Sequence, residues 1–264
     1  MGGDLRPSPE SHRLSRNWST IVTDPMLDSL EWLTPSEKRL RIAEIFESVQ
    51  GEGLWAGVPS TFVRVSGCNL RCVWCDTPYA SWRPEGPVRD LDGIVKEVLE
   101  LRPRHLVITG GEPMLFQPVE NLARSLADEG FKITIETAGT VFRQLPCHLM
   151  SISPKLGNST PLEEPWRTKH EQTRIRLETL FRLMDSYPVQ LKFVVSQISD
   201  IQEIEFLLAD LPPLEPEKIL LMPEGRSSEL LWSRARELVP ICLDHGWRLA
   251  PRLQIDLFGD TRGT

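Results

Sequence analysis

From residue 39 onward, apolar and polar positions fall into two periods that take turns along the chain. Residues 40–46 alternate as a half-buried strand does, and residues 61–65 repeat that pattern. Residues 91–101 switch to the spacing of an amphipathic helix, and 106–109 form a short apolar run, a buried strand ending at Gly110-Gly111. The sequence then predicts a helix over 118–129, strands over 132–136 and 149–153, a helix over 173–184, and a strand over 190–195. A helix over 201–209, a strand over 218–222, a helix over 228–245 and a last strand over 248–254 complete the series. Such β-α alternation implies parallel strands joined by right-handed crossovers, in an open doubly wound sheet or a full or partial barrel.

Outside this repeat lie two stretches of different character. Residues 1–38, with several Pro, Ser and Arg and no sustained period, read as a flexible N-terminal extension with a short helix over 26–33. Residues 39–264 read as one domain, in which 157–172, carrying Pro161, Pro165 and mixed charges, is expected to be a surface insertion.

Composition adds exclusions. With 30 Lys plus Arg against 37 Asp plus Glu the formal charge is −7, so direct binding of nucleic acid is not expected. No apolar run approaches the roughly 18 residues of a spanning helix. The segment from Met1 to Arg16 lacks the apolar centre of a secretory signal, so the expectation is a cytoplasmic protein that does not engage membranes.

Both architectures collect polar groups in loops after the strands' C-terminal ends. Conspicuous motifs follow predicted strands there: Cys68, Cys72 and Cys75 within Gly67 to Asp76, then Gly110-Gly111-Glu112-Pro113, Thr137, and Pro154-Lys155. Three clustered thiols in a chain without an export signal point to metal rather than disulfides. No fourth cysteine or histidine follows at close spacing. Structural zinc is normally closed by four protein ligands, whereas three thiolates on a four-iron cluster leave one iron for an outside ligand. Zinc completed by distant His148, His170 or His245 stays open as a reading. Cys147 and Cys242 read as small buried hydrophobes, and His12, His105 and His170 receive no functional role.

The Cys-x3-Cys-x2-Cys spacing, with Trp74 before the last cysteine, resembles the cluster loop of radical S-adenosylmethionine enzymes, and Gly110 to Pro113 resembles that superfamily's glycine-rich motif. Flanking stretches narrow the resemblance: Glu44 to Gly53, Phe62 to Cys68, Trp74 to Thr77, Glu136 to Thr140, Ser153 to Lys155 and Leu191 to Val194 are similar to 7-carboxy-7-deazaguanine synthases. That resemblance implies a shortened parallel β/α barrel, a homodimer, a 4Fe-4S cluster, S-adenosylmethionine, a magnesium ion and an external electron donor such as flavodoxin or ferredoxin. It implies ring contraction of 6-carboxy-5,6,7,8-tetrahydropterin, with release of ammonia, to the deazapurine core of queuosine-type nucleosides. Cleavage of the sulfonium yields a deoxyadenosyl radical that abstracts hydrogen from this small-molecule substrate.

By position, the resemblance assigns the cluster to Cys68, Cys72 and Cys75, and the cofactor to Trp74, Cys75, Asp76, Gly111, Glu112, Ser153, Pro154 and Lys155. It assigns magnesium to Thr77 and the pterin to Val49, Gln50, Gly51, Arg64, Thr109 and Thr264. Gln50 can read a pterin edge and Arg64 can pair with its carboxylate, although a salt bridge across the barrel is the rival for Arg64. Lys192 is left between an interior site residue and an ordinary ion-pair partner. Gln254 stands where the family pattern has a histidine, replacing a group that protonates by one that only hydrogen-bonds. Two other functions compete: a radical activase acting on a partner protein, and a zinc-stabilised binding module.

Overall fold

The computed structural model describes residues 38–264. The expected helix over 26–33 and nearly all of the N-terminal extension lie outside these residues. The strands are β1 (Arg39–Val49), β2 (Pro59–Val65), β3 (Val88–Asp90), β4 (His105–Gly110), β5 (Lys132–Thr137), β6 (Leu149–Ile152), β7 (Val189–Val195), β8 (Ile219–Pro223) and β9 (Arg248–Leu249). They form one sheet in the order β3-β1-β2-β4-β5-β6-β7-β8-β9. From β2 to β9 every neighbour in that order is parallel. The edges β3 and β9 pair with no further strand among the described residues, so the sheet is an unclosed, partial parallel β/α barrel.

Helices α1 (Leu91–Glu100), α2 (Pro118–Asp128), α3 (Trp166–Thr173), α4 (Leu177–Ser186), α5 (Asp200–Asp210), α6 (Ser228–His245) and α7 (Leu253–Phe258) complete the fold. The main core is an outer layer: Val63, Val65, Leu106, Ile108, Ile133, Ile135, Leu191 and Phe193 alternate along their strands and are almost wholly buried, as are Ile94, Leu122, Leu183 and Ile204 on the helices. Residues of opposite parity face the barrel interior, and several are polar: Arg64, Thr109, Glu136, Ser151, Gln190 and Lys192. No helix among the described residues is long and apolar enough to cross a membrane.

Three differences from the sequence reading have physical causes. The first is that β1 runs antiparallel to β2 and β3, because the connection from Val49 to Pro59 is too short for a crossover helix. The second is that the helix expected over 173–184 starts later, as α4 at Leu177, while a separate helix, α3, occupies Trp166–Thr173, almost wholly inside the supposed surface insertion. Part of that insertion is interior, since Ser159 and His170 are buried. Finally, the strand expected over 248–254 stops at Leu249 and gives way to α7. Pro251, which has no N–H, cannot extend the ladder.

A bulge in β1 decides what faces the interior. Pairing shifts between Ile42 and Glu44, so that Ile42 sits opposite Val65 on the outer face while Glu44 and Phe46 sit opposite Arg64 and Phe62 on the inner one. An extra residue in a strand reverses the side-chain alternation beyond it. The rings of Phe46 and Phe62 stack at 4.9 Å.

His105, at the start of β4, is buried between Ser60 Oγ at 2.7 Å from Nδ1 and Thr134 Oγ1 at 2.9 Å from Nε2. Burial, with Lys132 and His148 adding to it, lowers its pKa from 6.5 to about 4. The unfolded chain therefore binds more protons here between those values, so this contribution is present above pH 6.5 and is lost as pH falls toward 4. Urea midpoints should drop between pH 7 and pH 5, and His105→Gln should flatten that slope; a slope unchanged by the substitution would contradict the assignment.

Candidate active site

The cysteine loop leaves β2 at Ser66 and is held from below by the glycine motif after β4. Gly111 N donates to Val65 O at 3.1 Å, Glu112 N to Gly67 O at 2.8 Å, and Gly67 N to Ala80 O at 2.8 Å. A Cβ on Gly111 would lie 2.1 Å from Gly67 O and 2.4 Å from Ala80 O, so only bare backbone lets the two loops touch. The Glu112 carboxylate accepts from Met114 N at 3.0 Å, Thr137 Oγ1 at 2.7 Å and Ala138 N at 2.8 Å. It is fully buried and does not line the cavity, tying the loops after β4 and β5 together beneath it.

The segment 157–172 supports the same loop from the other side. Arg71 N donates to His170 Nδ1 at 3.1 Å, which leaves Nε2 as the protonated nitrogen facing Ser159 Oγ at 2.8 Å; Ser159 Oγ in turn donates to Leu156 O at 2.6 Å. Val73 N reaches Ser159 O at 2.9 Å. Trp74 Nε1 donates to Asn158 Oδ1 at 3.2 Å, while Asn158 Nδ2 donates to Val194 O and Asp200 Oδ2. His170, to which the sequence reading gave no role, is thus a neutral brace under the cysteines. Both ring nitrogens are already engaged by the protein.

Above the loop opens a cavity of about 1520 Å³, counting its mouth. Cys68, Cys72 and Cys75 line it together with Trp74, Asp76, Thr77, Gly111, Ser153 and Lys155. Pro154 is buried and does not line it. Lys155 Nζ donates to Ser153 O and Oγ, each at 2.9 Å, and sits 5.8 Å from the centre of the Trp74 ring. Burial pushes the Cys68 and Cys72 thiols up, the second to about 12. Buried thiols stay neutral without a cation, and metal binding displaces their protons.

Val49, Gln50, Gly51, Arg64, Thr109 and Thr264 line the remaining wall. Glu136, quoted in the sequence motif without a role, sits at their centre: Gln50 Nε2 donates to its Oε1 at 3.2 Å and Thr109 Oγ1 to its Oε2 at 2.8 Å. Arg64 Nε donates to Glu44 Oε2 at 2.9 Å, so the ion pair across β1 and β2 is present, and the guanidinium still borders the cavity. Thr264 Oγ1 turns back to Thr261 O at 2.9 Å.

The most heavily charged contact in the site went unread in the sequence. Glu52, in the β1–β2 loop, is paired with Lys192 Nζ from β7 and accepts from Arg252 Nε at 3.1 Å and Gln254 Nε2 at 2.8 Å. Arg252 also donates to Gly225 O at 2.6 Å and pairs with Asp76 of the cysteine loop. Burial pushes Glu52 up, but Lys192 and Arg252 outweigh it and hold the carboxyl far below the usual range. Burial likewise opposes the charge on Lys192, and Glu52 with Glu136 restores it, leaving its pKa raised. A charged residue at an inward strand position, as Lys192 is, was the available signal; nothing local in the sequence marks Arg252.

A three-cysteine loop at one end of an unclosed parallel barrel, with a glycine turn packed against it, defines a class. The radical SAM superfamily matches residues 62–198, more than half of the chain, which therefore belongs to it. The fold is similar to that of QueE from Escherichia coli, with a TM-score of 0.62 and 26% identity over 80% of this chain and 93% of that one. Within the superfamily the chain belongs to the 7-carboxy-7-deazaguanine synthases. Relatives bearing that name are 43% identical in Halobacterium salinarum, over 85% of this chain and 93% of the relative, and 41% identical in Rhodopirellula baltica, over 87% and 90%.

Removing Glu52 would leave Lys192 and Arg252 as buried, unpaired cations. Glu52→Ala should cost on the order of 3–5 kcal/mol of stability in urea unfolding. A loss below about 1 kcal/mol would show that the two cations find other partners.

Proposed function

We infer that this chain converts 6-carboxy-5,6,7,8-tetrahydropterin to 7-carboxy-7-deazaguanine with loss of ammonia. The observation that carries this reading is a single cavity whose one wall is the cysteine loop and whose other wall is a set of polar, inward-facing strand residues. Membership of the family implies a 4Fe-4S cluster and S-adenosylmethionine. The residues suit both: three cavity-lining thiols on a short loop, Arg71 buried behind them with Nη1 on Cys68 O at 2.7 Å, and Lys155 beside Trp74. Among the described residues no three His, Cys, Asp or Glu side chains gather closely enough to hold a single ion. Three thiolates suit a four-iron cluster with one iron left for an outside ligand, whereas structural zinc is normally closed by four protein ligands.

When bound, the cluster and S-adenosylmethionine supply the hydrogen-abstracting radical. The chain's own residues bind and orient. Cys68, Cys72 and Cys75 hold the cluster; Trp74, Asp76, Gly111, Ser153 and Lys155 contact the cofactor, while Glu112 and Pro154 shape its floor. Gln50 and Glu136 present a donor and acceptor edge to the fused ring, Thr109 fixes Glu136, and Arg64 attracts the substrate carboxylate. Val49, Gly51 and Thr264 close around the ring. Thr77 offers magnesium one hydroxyl, the other ligands coming from substrate and water.

A homodimer and a separate electron donor belong to the same reading. Exposed Trp232, Val239 and Leu243 on α6 and Leu257 and Phe258 on α7 supply apolar area for a second copy. The C-terminal segment favours a small substrate over a polypeptide one. Arg252 and Arg262 stitch it to Glu52, Asp76, Glu44 and Glu85 at the cavity mouth, leaving little room for an inserted loop.

Anaerobic reconstitution with iron and sulfide should give brown protein that, with dithionite, cofactor and the tetrahydropterin, forms the carboxylated deazaguanine. A loaded cluster with no turnover of this pterin would refute the substrate. Cys72→Ala should abolish the colour and cofactor cleavage, whereas Cys242→Ala, on the buried face of α6, should retain both.

A further inference from the structure

Arg64, which faces the substrate carboxylate in this reading, already has a counter-ion within the wall. Glu44, turned inward by the bulge in β1, accepts from Arg64 Nε at 2.9 Å and from the Tyr79 hydroxyl at 3.0 Å, both on Oε2. Its side chain is 12% exposed and does not line the cavity. Burial pushes the Tyr79 hydroxyl up to about 12, against the pull of Arg64, so it stays a neutral donor. Arg64 and Glu44 alone would thus make a neutral pair, and a neutral pair attracts an anion weakly.

The charge that tips this balance comes from the segment after α7. Arg262 Nε donates to the other oxygen of Glu44, Oε1, at 3.2 Å, and Nη1 to Glu85 Oε2 at 3.1 Å, while the guanidinium lies over the Tyr79 ring, 3.6 Å from its centre. Arg64, Arg262 and Tyr79 line the cavity, whereas Glu44 and Glu85 do not. Among the described residues, Arg64 Nη1 and Nη2 and Arg262 Nη2 have no protein acceptor. The acids that do line the cavity are engaged elsewhere: Glu52 and Asp76 pair with Lys192 and Arg252, Glu136 accepts from Gln50 and Thr109, and Asp260 lies 3.5 Å from Arg226 Nη1. Glu85 is 55% exposed, where water screens its charge. Two guanidinium groups therefore border the cavity with one carboxylate behind them, and one positive charge is left over.

We propose that Arg262 determines the preference of this site for a carboxylated pterin. By sharing Glu44 with Arg64 it frees the charge of Arg64 for an anion and sets a second guanidinium on the same wall, so that one carboxylate brings the wall to neutrality. A pterin without that group gains nothing from Arg262. The inference rests on the function proposed above and adds its determinant of substrate class. Half of the Arg262 side chain meets solvent, so its effect is several-fold rather than orders of magnitude.

The test compares two oxidised, fluorescent probes, 6-carboxypterin and unsubstituted pterin, titrated against cluster-loaded enzyme with S-adenosylmethionine. The parent should bind 6-carboxypterin more tightly. Arg262→Gln should weaken 6-carboxypterin at least fivefold and leave pterin within twofold, and the KM for the tetrahydropterin should rise alongside the first. Arg262→Lys, which keeps the charge, should retain at least half of the preference; a lysine variant no better than the glutamine one would overturn a role through charge. A glutamine variant whose preference stays within twofold of the parent would overturn the proposal too, and so would an equal loss for both probes, which would assign Arg262 to holding its segment in place. Should the glutamine variant not fold, the parent's preference is followed across a salt series, where it should shrink as ionic strength rises and a constant preference would overturn the proposal. A parent that binds neither probe and turns over no tetrahydropterin would sink the underlying function instead.

Discussion

Glu52 is the carboxylate on which the site's arrangement depends. It belongs to the loop between β1 and β2, its cations come from β7 and from the entry to α7, and one of those cations, Arg252, continues to Asp76 on the cysteine loop. Three distant parts of the chain thus meet at one buried negative charge, and Arg252 ties a fourth to it. Desolvation opposes every member of such a cluster, and it stands only because the charges and hydrogen bonds compensate one another. Replacing such a cluster by apolar packing can be nearly neutral, whereas removing one member leaves an uncompensated buried charge. Here the cluster ties wall groups on separate strands into one arrangement around the cavity.

The cysteine loop obeys a different constraint, one of close approach rather than charge. Gly110 adopts a φ of +139°, where a Cβ would lie 2.0 Å from Val65 O, and Gly111 lies against Gly67. The loop after β4 thereby becomes a platform for the loop after β2. Beneath them, Glu112 spends its carboxylate on backbone and hydroxyl donors. The neutral imidazole of His170 serves the opposite flank. Cysteine spacing alone would leave the thiols on a wandering loop, and these neighbours give the spacing its geometry.

Much of this was legible beforehand, for identifiable reasons. Strand periodicity revealed β2, β4, β5 and β7 because each buries its outer face, and motif spacing revealed the cysteine loop because its ligands are adjacent in sequence. Pairing direction was not legible at β1, where loop length rather than apolar pattern decides it. The role of residues 157–172 was missed because polar, charge-rich composition imitates a surface insertion, while the few side chains that matter, Asn158, Ser159 and His170, are themselves polar. Arg252 and Glu52 are 200 positions apart, and only the closing of the barrel brings them together. Lys192 was visible as an inward strand position, yet its partner was not.

The bulge in β1 has a consequence for how this strand tolerates change. Because Ala43 is the residue that resets the alternation, its removal alone would leave an unbroken ladder, with Ile42 still outward opposite Val65 and Glu44 still inward opposite Arg64. A one-residue slip of the strand beyond the bulge would instead turn it inside out, carrying Ile45 toward the cavity and Glu44 into the apolar layer under the helices. Register, more than identity, is what this segment must preserve.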